Sequence, residues 1–216
     1  MKINQLILCV ICWLTGSFIC QAQSISMFRF GLVGGTNAGQ INTPLVKSTT
    51  GLLWQYNVGV TMEQRFSSRF SLAYELKYAR QGGTAKTSGL SGNDFNISEF
   101  NYLTLPIISR FQPKGERIFI EIGGQVGYFL SGRNYFASQK NQALSVQNMA
   151  KIDAGLVGGL GCRLGKHLVS DARYYYGLRK IREDVTAPDP TTGIPTLIKF
   201  VPQYNRVWSL NLSYYF

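Results

Sequence analysis

The chain is short of the residues that build disulfides, metal centres and proton relays. It has four cysteines, and three of them, Cys9, Cys12 and Cys20, fall at the start; only Cys162 lies beyond. Its one histidine is His167. A lone Cys162 can form no intramolecular disulfide once the start is removed, and on a strand it serves as a small apolar residue. No Cys/His cluster exists to hold zinc, and no metal or cofactor is expected. Acidic residues are scarce, 11 against 22 basic, for a formal net charge of +11. After the first two dozen residues there is no long apolar run, which excludes a helical membrane protein.

What the start does hold is one cation, Lys2, an apolar run over residues 6–19, and Cys20-Gln21-Ala22. These are the parts of a secretory signal peptide, with cleavage expected after Ala22. Acylation of Cys20 is disfavoured because Ile19 before it is not small. The expected organisation is a signal peptide, 1–22, and a single domain, 23–216. For an exported basic chain the expected anionic neighbours are lipid headgroups and lipopolysaccharide phosphates, and no nucleic-acid role is expected.

The last stretch, residues 203–216, organises the rest. Tyr204, Arg206, Trp208, Leu210, Leu212, Tyr214 and Phe216 alternate with Asn205, Val207, Ser209, Asn211, Ser213 and Tyr215. Successive strand side chains point to opposite faces, so one face is greasy and the other mostly polar. Aromatics at both ends of the apolar face, and a length of about a dozen residues, suit a tilted strand crossing lipid. Trp208, Tyr214 and a final Phe216 resemble the C-terminal insertion signature of bacterial outer-membrane barrels. Through this strand the chain is expected to meet the outer-membrane assembly machinery.

The same alternation predicts strands over residues 27–36, 52–66, 69–80, 99–111, 116–132, 150–163, 167–178 and 203–216. Pro106 inside the fourth predicts a bulge or a locally broken pair, since proline has no N–H to give the ladder. Turns are expected at 67–68, 112–115 and 164–166, and long loops at 37–51, 81–98, 133–149 and 179–202. Long and short connections therefore alternate. Together these predict an all-β fold, an eight-stranded antiparallel transmembrane up-and-down β-barrel. Its short turns would be periplasmic, its four long loops extracellular, and both termini periplasmic, as an even strand number requires. The repeated GLVGG at 31–35 and 155–159 has strand-like flanks on both sides, so it is not expected to cradle phosphate.

Apolar faces toward lipid put Arg29, Glu63, Arg65, Glu75, Lys77, Arg110, Glu121, Lys151, Asp153, Arg163, Asp171 and Arg173 inside. Charges in a narrow barrel are tolerable only when paired. Eight strands enclose a space that side chains can fill. The expectation is a lumen charge network in which Glu63, Arg65, Glu75, Lys77, Arg110, Glu121, Asp153, Asp171 and Arg173 take part. On the outer rim, Arg80, Arg133, Arg179, Lys180, Arg182 and Arg206 form a basic collar able to face lipopolysaccharide. No catalytic residues are expected. His167 falls at a turn, away from the outer rim, and Asp171 lies about 13 Å along the same strand.

Five stretches resemble the small outer-membrane β-barrels of Bacteroidetes, of the PorT-like type. They are FRFGLVGGTN at 28–37, YLTLPII at 102–108, FIEIGGQVGY at 119–128, DAGLVGGLG at 153–161 and DARYYYGL at 171–178. The resemblance covers nearly all of 23–216 and implies an eight-stranded barrel in the outer membrane. The functional expectation is a non-enzymatic membrane anchor. Its extracellular loops would meet a protein partner, as part of a cell-envelope or secretion assembly. The alternative is a narrow channel or small-ligand barrel lined by the inward charges.

Overall fold

The computed structural model describes residues 27–43, 50–89, 92–146, 148–188 and 195–216. The expected signal peptide, its cleavage after Ala22 and Pro190 of the last loop lie outside them. Eight strands carry the fold: β1 Met27–Asn42, β2 Leu53–Arg65, β3 Phe70–Gly89, β4 Gly92–Phe111, β5 Ile118–Phe136, β6 Ile152–Arg163, β7 Leu168–Gly177 and β8 Tyr204–Tyr215. Each pairs antiparallel with the next. The register of β1 against β8, from Gly31↔Tyr215 to Asn42↔Tyr204, closes the ring. Closure leaves no open sheet edge, the condition for a sheet to cross lipid.

Burial is inverted relative to a soluble sheet. Trp54, Val60, Ile122, Leu160 and Leu210 are exposed on the outside, Trp54 and Ile122 at 70%. Glu63, Glu75, Arg110, Glu121 and Arg173 are among the most buried residues. Such an apolar outside is costly in water and matched in lipid, and the charges inside are tolerable because they are paired. The interior is not wholly polar. Ala73, Ile108, Val157, Tyr175 and Val207 form one apolar layer, and Phe119, Val169 and Tyr215 form another.

The three short turns share one end. Ser67 Oγ accepts from the backbone N–H groups of Arg69 and Phe70 at 3.2 and 3.0 Å, which closes the first. Gly115 gives the second its left-handed residue, at φ +82°, a conformation costly for any residue with a Cβ. In the third, Leu164 N–H donates to the Leu168 carbonyl at 2.9 Å.

The strands run further at the other end than alternation predicts. β1 continues to Asn42. Of residues 81–98, expected as a loop, 81–89 and 92–98 are instead paired strand, with Gln81↔Phe100 followed to Gly89↔Gly92. Beyond the lipid no apolar face is required, so hydrophobic alternation stops while backbone pairing goes on. The loop expected over 179–202 holds a small hairpin, Val185–Pro188 against Pro195–Ile198. Lys151, expected inside, is exposed just before β6 begins.

Pro106 breaks a pair without making a bulge. The β3–β4 ladder lapses between Tyr74↔Ile107 and Lys77↔Thr104, and resumes in the same register. On the β5 side Pro106 pairs with Gln125 without a shift; the irregularity there lies at Asn101/Tyr102.

Candidate functional site

The lumen is crossed by a network of ion pairs from seven strands, which Asn211 and Tyr215 of β8 join through hydrogen bonds. At its centre Arg173 of β7 lays its guanidinium against Glu75 of β3, with two parallel hydrogen bonds of 2.9 Å. Its Nε donates to Glu121 Oε2 at 2.7 Å and its Nη2 to Asp171 Oδ2 at 2.9 Å. Arg110 of β4 donates from Nε to Glu121 Oε1 at 2.7 Å and from Nη1 to the Tyr215 hydroxyl at 2.9 Å. Lys77 Nζ lies 3.0 Å from Glu75, and Asn211 Nδ2 donates to Asp171 Oδ1 at 2.7 Å. The side chains of Arg110 and Arg173 are 1% and 2% exposed. Glu75, Glu121 and Asp171 thus balance Lys77, Arg110 and Arg173, and two-pronged guanidinium contacts are the strong form of such bonds.

Register explains how side chains from distant strands meet. Arg110↔Glu121, Glu121↔Gly159 and Gly159↔Arg173 form one row around the wall. Glu121 and Arg173 are two strands apart, with Gly159 between them. A Cβ on Gly159 would stand 3.0 Å from Arg173 Cγ. The second GLVGG therefore gives the guanidinium stem its room.

Nearer the short turns, Glu63 of β2 accepts from Arg163 Nη2 at 2.6 Å and Arg65 Nε at 3.3 Å, with Arg29 Nε at 3.8 Å. Nearer the long loops, Asp153 accepts from Asn205 Nδ2 at 2.7 Å. It lies apart from the central network. Above it is a feature the sequence did not announce. Ile181, from the last long connection, is fully buried with Met149 against Phe100, Tyr102 and Phe129. Ala150 N–H donates to the Ile181 carbonyl and Ile181 N–H to that of Gln203, each at 3.0 Å. The lumen is thus filled at two levels, by ion pairs in the middle and by an apolar cluster at the loop end.

The basic collar is rearranged. Arg80 and Arg133 both donate to Glu99 Oε2, at 2.7 and 2.6 Å, and the Tyr135 hydroxyl donates to Glu99 Oε1 at 2.9 Å. Glu99 went unnoticed because it stood at the expected start of a strand. Arg206 is a correction: it is only 8% exposed. Its Nη1 donates to the carbonyls of Gly177 and Asn205 at 2.7 and 2.9 Å. Its guanidinium sits 3.6 Å from the Tyr176 ring centroid. Those bonds leave it no outward reach. Arg182 is half-buried over the Phe200 ring at 4.2 Å. Arg179 and Lys180 are exposed.

Trp208, Tyr214 and Phe216 all face outward, with Trp208 packed on Tyr174 at 4.6 Å between centroids. His167 stacks on Tyr214 and shares a 2.7 Å hydrogen bond between Nδ1 and the Tyr215 carbonyl. Asp171 is engaged elsewhere, with Arg173. Among the described residues, no three of His, Cys, Asp and Glu are placed to hold a metal ion.

The model of the family described as outer membrane protein beta-barrel domain matches residues 21–183. No curated protein matches the sequence. Among solved structures, Neisserial surface protein A (NspA) is similar at TM-score 0.52 and 12% identity, over 87% of this chain and 97% of that one. Ail, the attachment invasion locus protein of Yersinia pestis, aligns at TM-score 0.45 and 14% identity, over 87% of this chain and 98% of that one. OprG from Pseudomonas aeruginosa aligns at 0.43 and 15%, over 91% of this chain and 98% of that one. At such identities the likeness is one of fold, and NspA carries it. A closed ring of eight strands, greasy outside and charged inside, is what that family match requires, and the chain belongs to the outer membrane protein β-barrel domain family, integral to the bacterial outer membrane.

Proposed function

We propose that this protein is a sealed, non-enzymatic barrel that anchors an interaction surface outside the cell. The observation that carries it is the filling of the lumen at two levels. Arg110, Arg173 and their carboxylates fill the middle, and Ile181 and Met149 cap the loop end. A barrel so filled offers solutes no continuous wet path, so its working parts are those that stand clear of the membrane. Chief among these is the hairpin formed by the ends of β3 and β4, which outruns the lipid-facing alternation.

In this proposal residues 1–22 direct export and are removed, and β8, with Trp208, Tyr214 and Phe216, engages the assembly machinery. The short turns and both termini face the periplasm, and Arg179 and Lys180 meet lipopolysaccharide phosphates. The resemblance to PorT-like barrels of Bacteroidetes supports the outer-membrane barrel; a protein partner at the loops, in an envelope or secretion assembly, is part of the proposal.

Orientation is the point on which this role turns. In a Cys162→Ala background, a membrane-impermeant maleimide should label Lys86→Cys on intact cells. Lys114→Cys, in the second short turn, should react only after the outer membrane is opened. The reverse pattern would put the hairpin in the periplasm and overturn the external interaction surface.

A further inference from the structure

The end of the barrel that carries the short turns is not neutral. A bowl of about 460 Å³ opens there, lined by Arg29, Arg65, Gln112, Arg117, Arg163 and Lys166. One buried carboxylate, Glu63, answers these five cations, and it is also within 3.5 Å of Arg110 in the layer beneath. Arg117 and Lys166 have no carboxylate partner among the described residues. The one other acid of the neighbouring turn, Glu116, is exposed and makes no ion pair there.

Arg29 is also held in place with donors unspent. Arg29 stacks over the Tyr215 ring at 4.5 Å and gives Nη1 to the Lys166 carbonyl at 3.2 Å. Its Nε and Nη2 are buried and have no hydrogen-bond partner. Arg163 gives Nε to Gln112 Oε1 at 2.7 Å and its two Nη groups to Glu63, so it adds charge to the bowl and no free donor. A buried N–H without an acceptor is costly, and native structures rarely leave one so. Rigid guanidinium forks suit oxyanions, and phosphate brings more charge and more acceptor oxygens per group than carboxylate. The bowl is also far roomier than one phosphate needs.

We propose that this bowl binds a soluble anion carrying two or more phosphate groups. The orientation argued above would make it a periplasmic ligand. Titration in micelles reads binding whichever way the barrel faces, so the two claims stand or fall separately.

The test is calorimetric titration of the folded barrel in a non-ionic detergent, at fixed ionic strength, with inorganic pyrophosphate and, in a second arm, citrate. Two variants accompany it: Arg117→Gln combined with Lys166→Gln, which removes no ion pair of the fold, and Lys140→Gln at the opposite end. The expected result is saturable pyrophosphate binding, tighter than citrate and weakened at least about tenfold in the double variant. Lys140→Gln should bind as the parent does. No saturable binding, or binding indifferent to the double variant, would overturn the site. Tighter binding of citrate would overturn the phosphate assignment.

Discussion

Glu75 shows how much one side chain can hold. It accepts two bonds from Arg173 and lies beside Lys77, with its own side chain fully buried. Glu75→Ala would leave buried Lys77 without a carboxylate among the described residues and take two of Arg173's bonds, at a cost of about 3–5 kcal/mol. Denaturant unfolding in micelles, followed by tryptophan fluorescence, would measure it; a loss under about 1 kcal/mol would mean that water reaches the network. Gly159→Val tests the same part of the wall through space, since its Cβ would stand 2.5 Å from the Ala172 carbonyl oxygen and 3.0 Å from Arg173 Cγ. It should lower the unfolding midpoint, whereas Gly165→Ala, with open space around its Cβ position, should not. Parity along each strand made the inward charges legible in the sequence. Their pairing was not, because the rows meet only after the ring has closed with its stagger. Arg206 misled for a related reason: its parity pointed outward, and nothing in the sequence said that Tyr176 and two carbonyls would hold it down.

The strands themselves were legible wherever they touch lipid. β2 alternates along its length and β5 from Ile118 to Leu130, because one face must be apolar, and their expected bounds lie within a few residues of the observed ones. Signal fails where lipid ends. Thr84, Ala85 and Lys86 pair with Ile97, Asn96 and Phe95 as regularly as any residues in the wall, but no greasy face marks them. Ile181 was hidden for the opposite reason, one apolar residue between Lys180 and Arg182-Glu183-Asp184. The hairpin beyond the wall should be separable from the barrel. Removing residues 84–97 and joining the ends with a short glycine linker should leave an unboiled sample that still migrates as a folded barrel. Loss of that species would make the hairpin part of the folding unit.

At the scale of the whole molecule, the outer surface is a lipid-matched skin and the lumen a packed, charged interior. Val126 lies on that skin near the middle of β5. Val126→Arg should destabilise the barrel by about 2–4 kcal/mol in bilayers, the cost of a cation at mid-membrane. A change near zero would remove Val126 from the lipid.

The seal is the central claim, and planar-bilayer recording of the purified protein tests it most directly. The filling at two levels predicts a silent membrane, with no steady single-channel steps at any protein load that inserts. Steady steps that disappear on neutralising Glu75 or Arg173 would contradict it. They would make the ion-pair network the lining of a narrow channel.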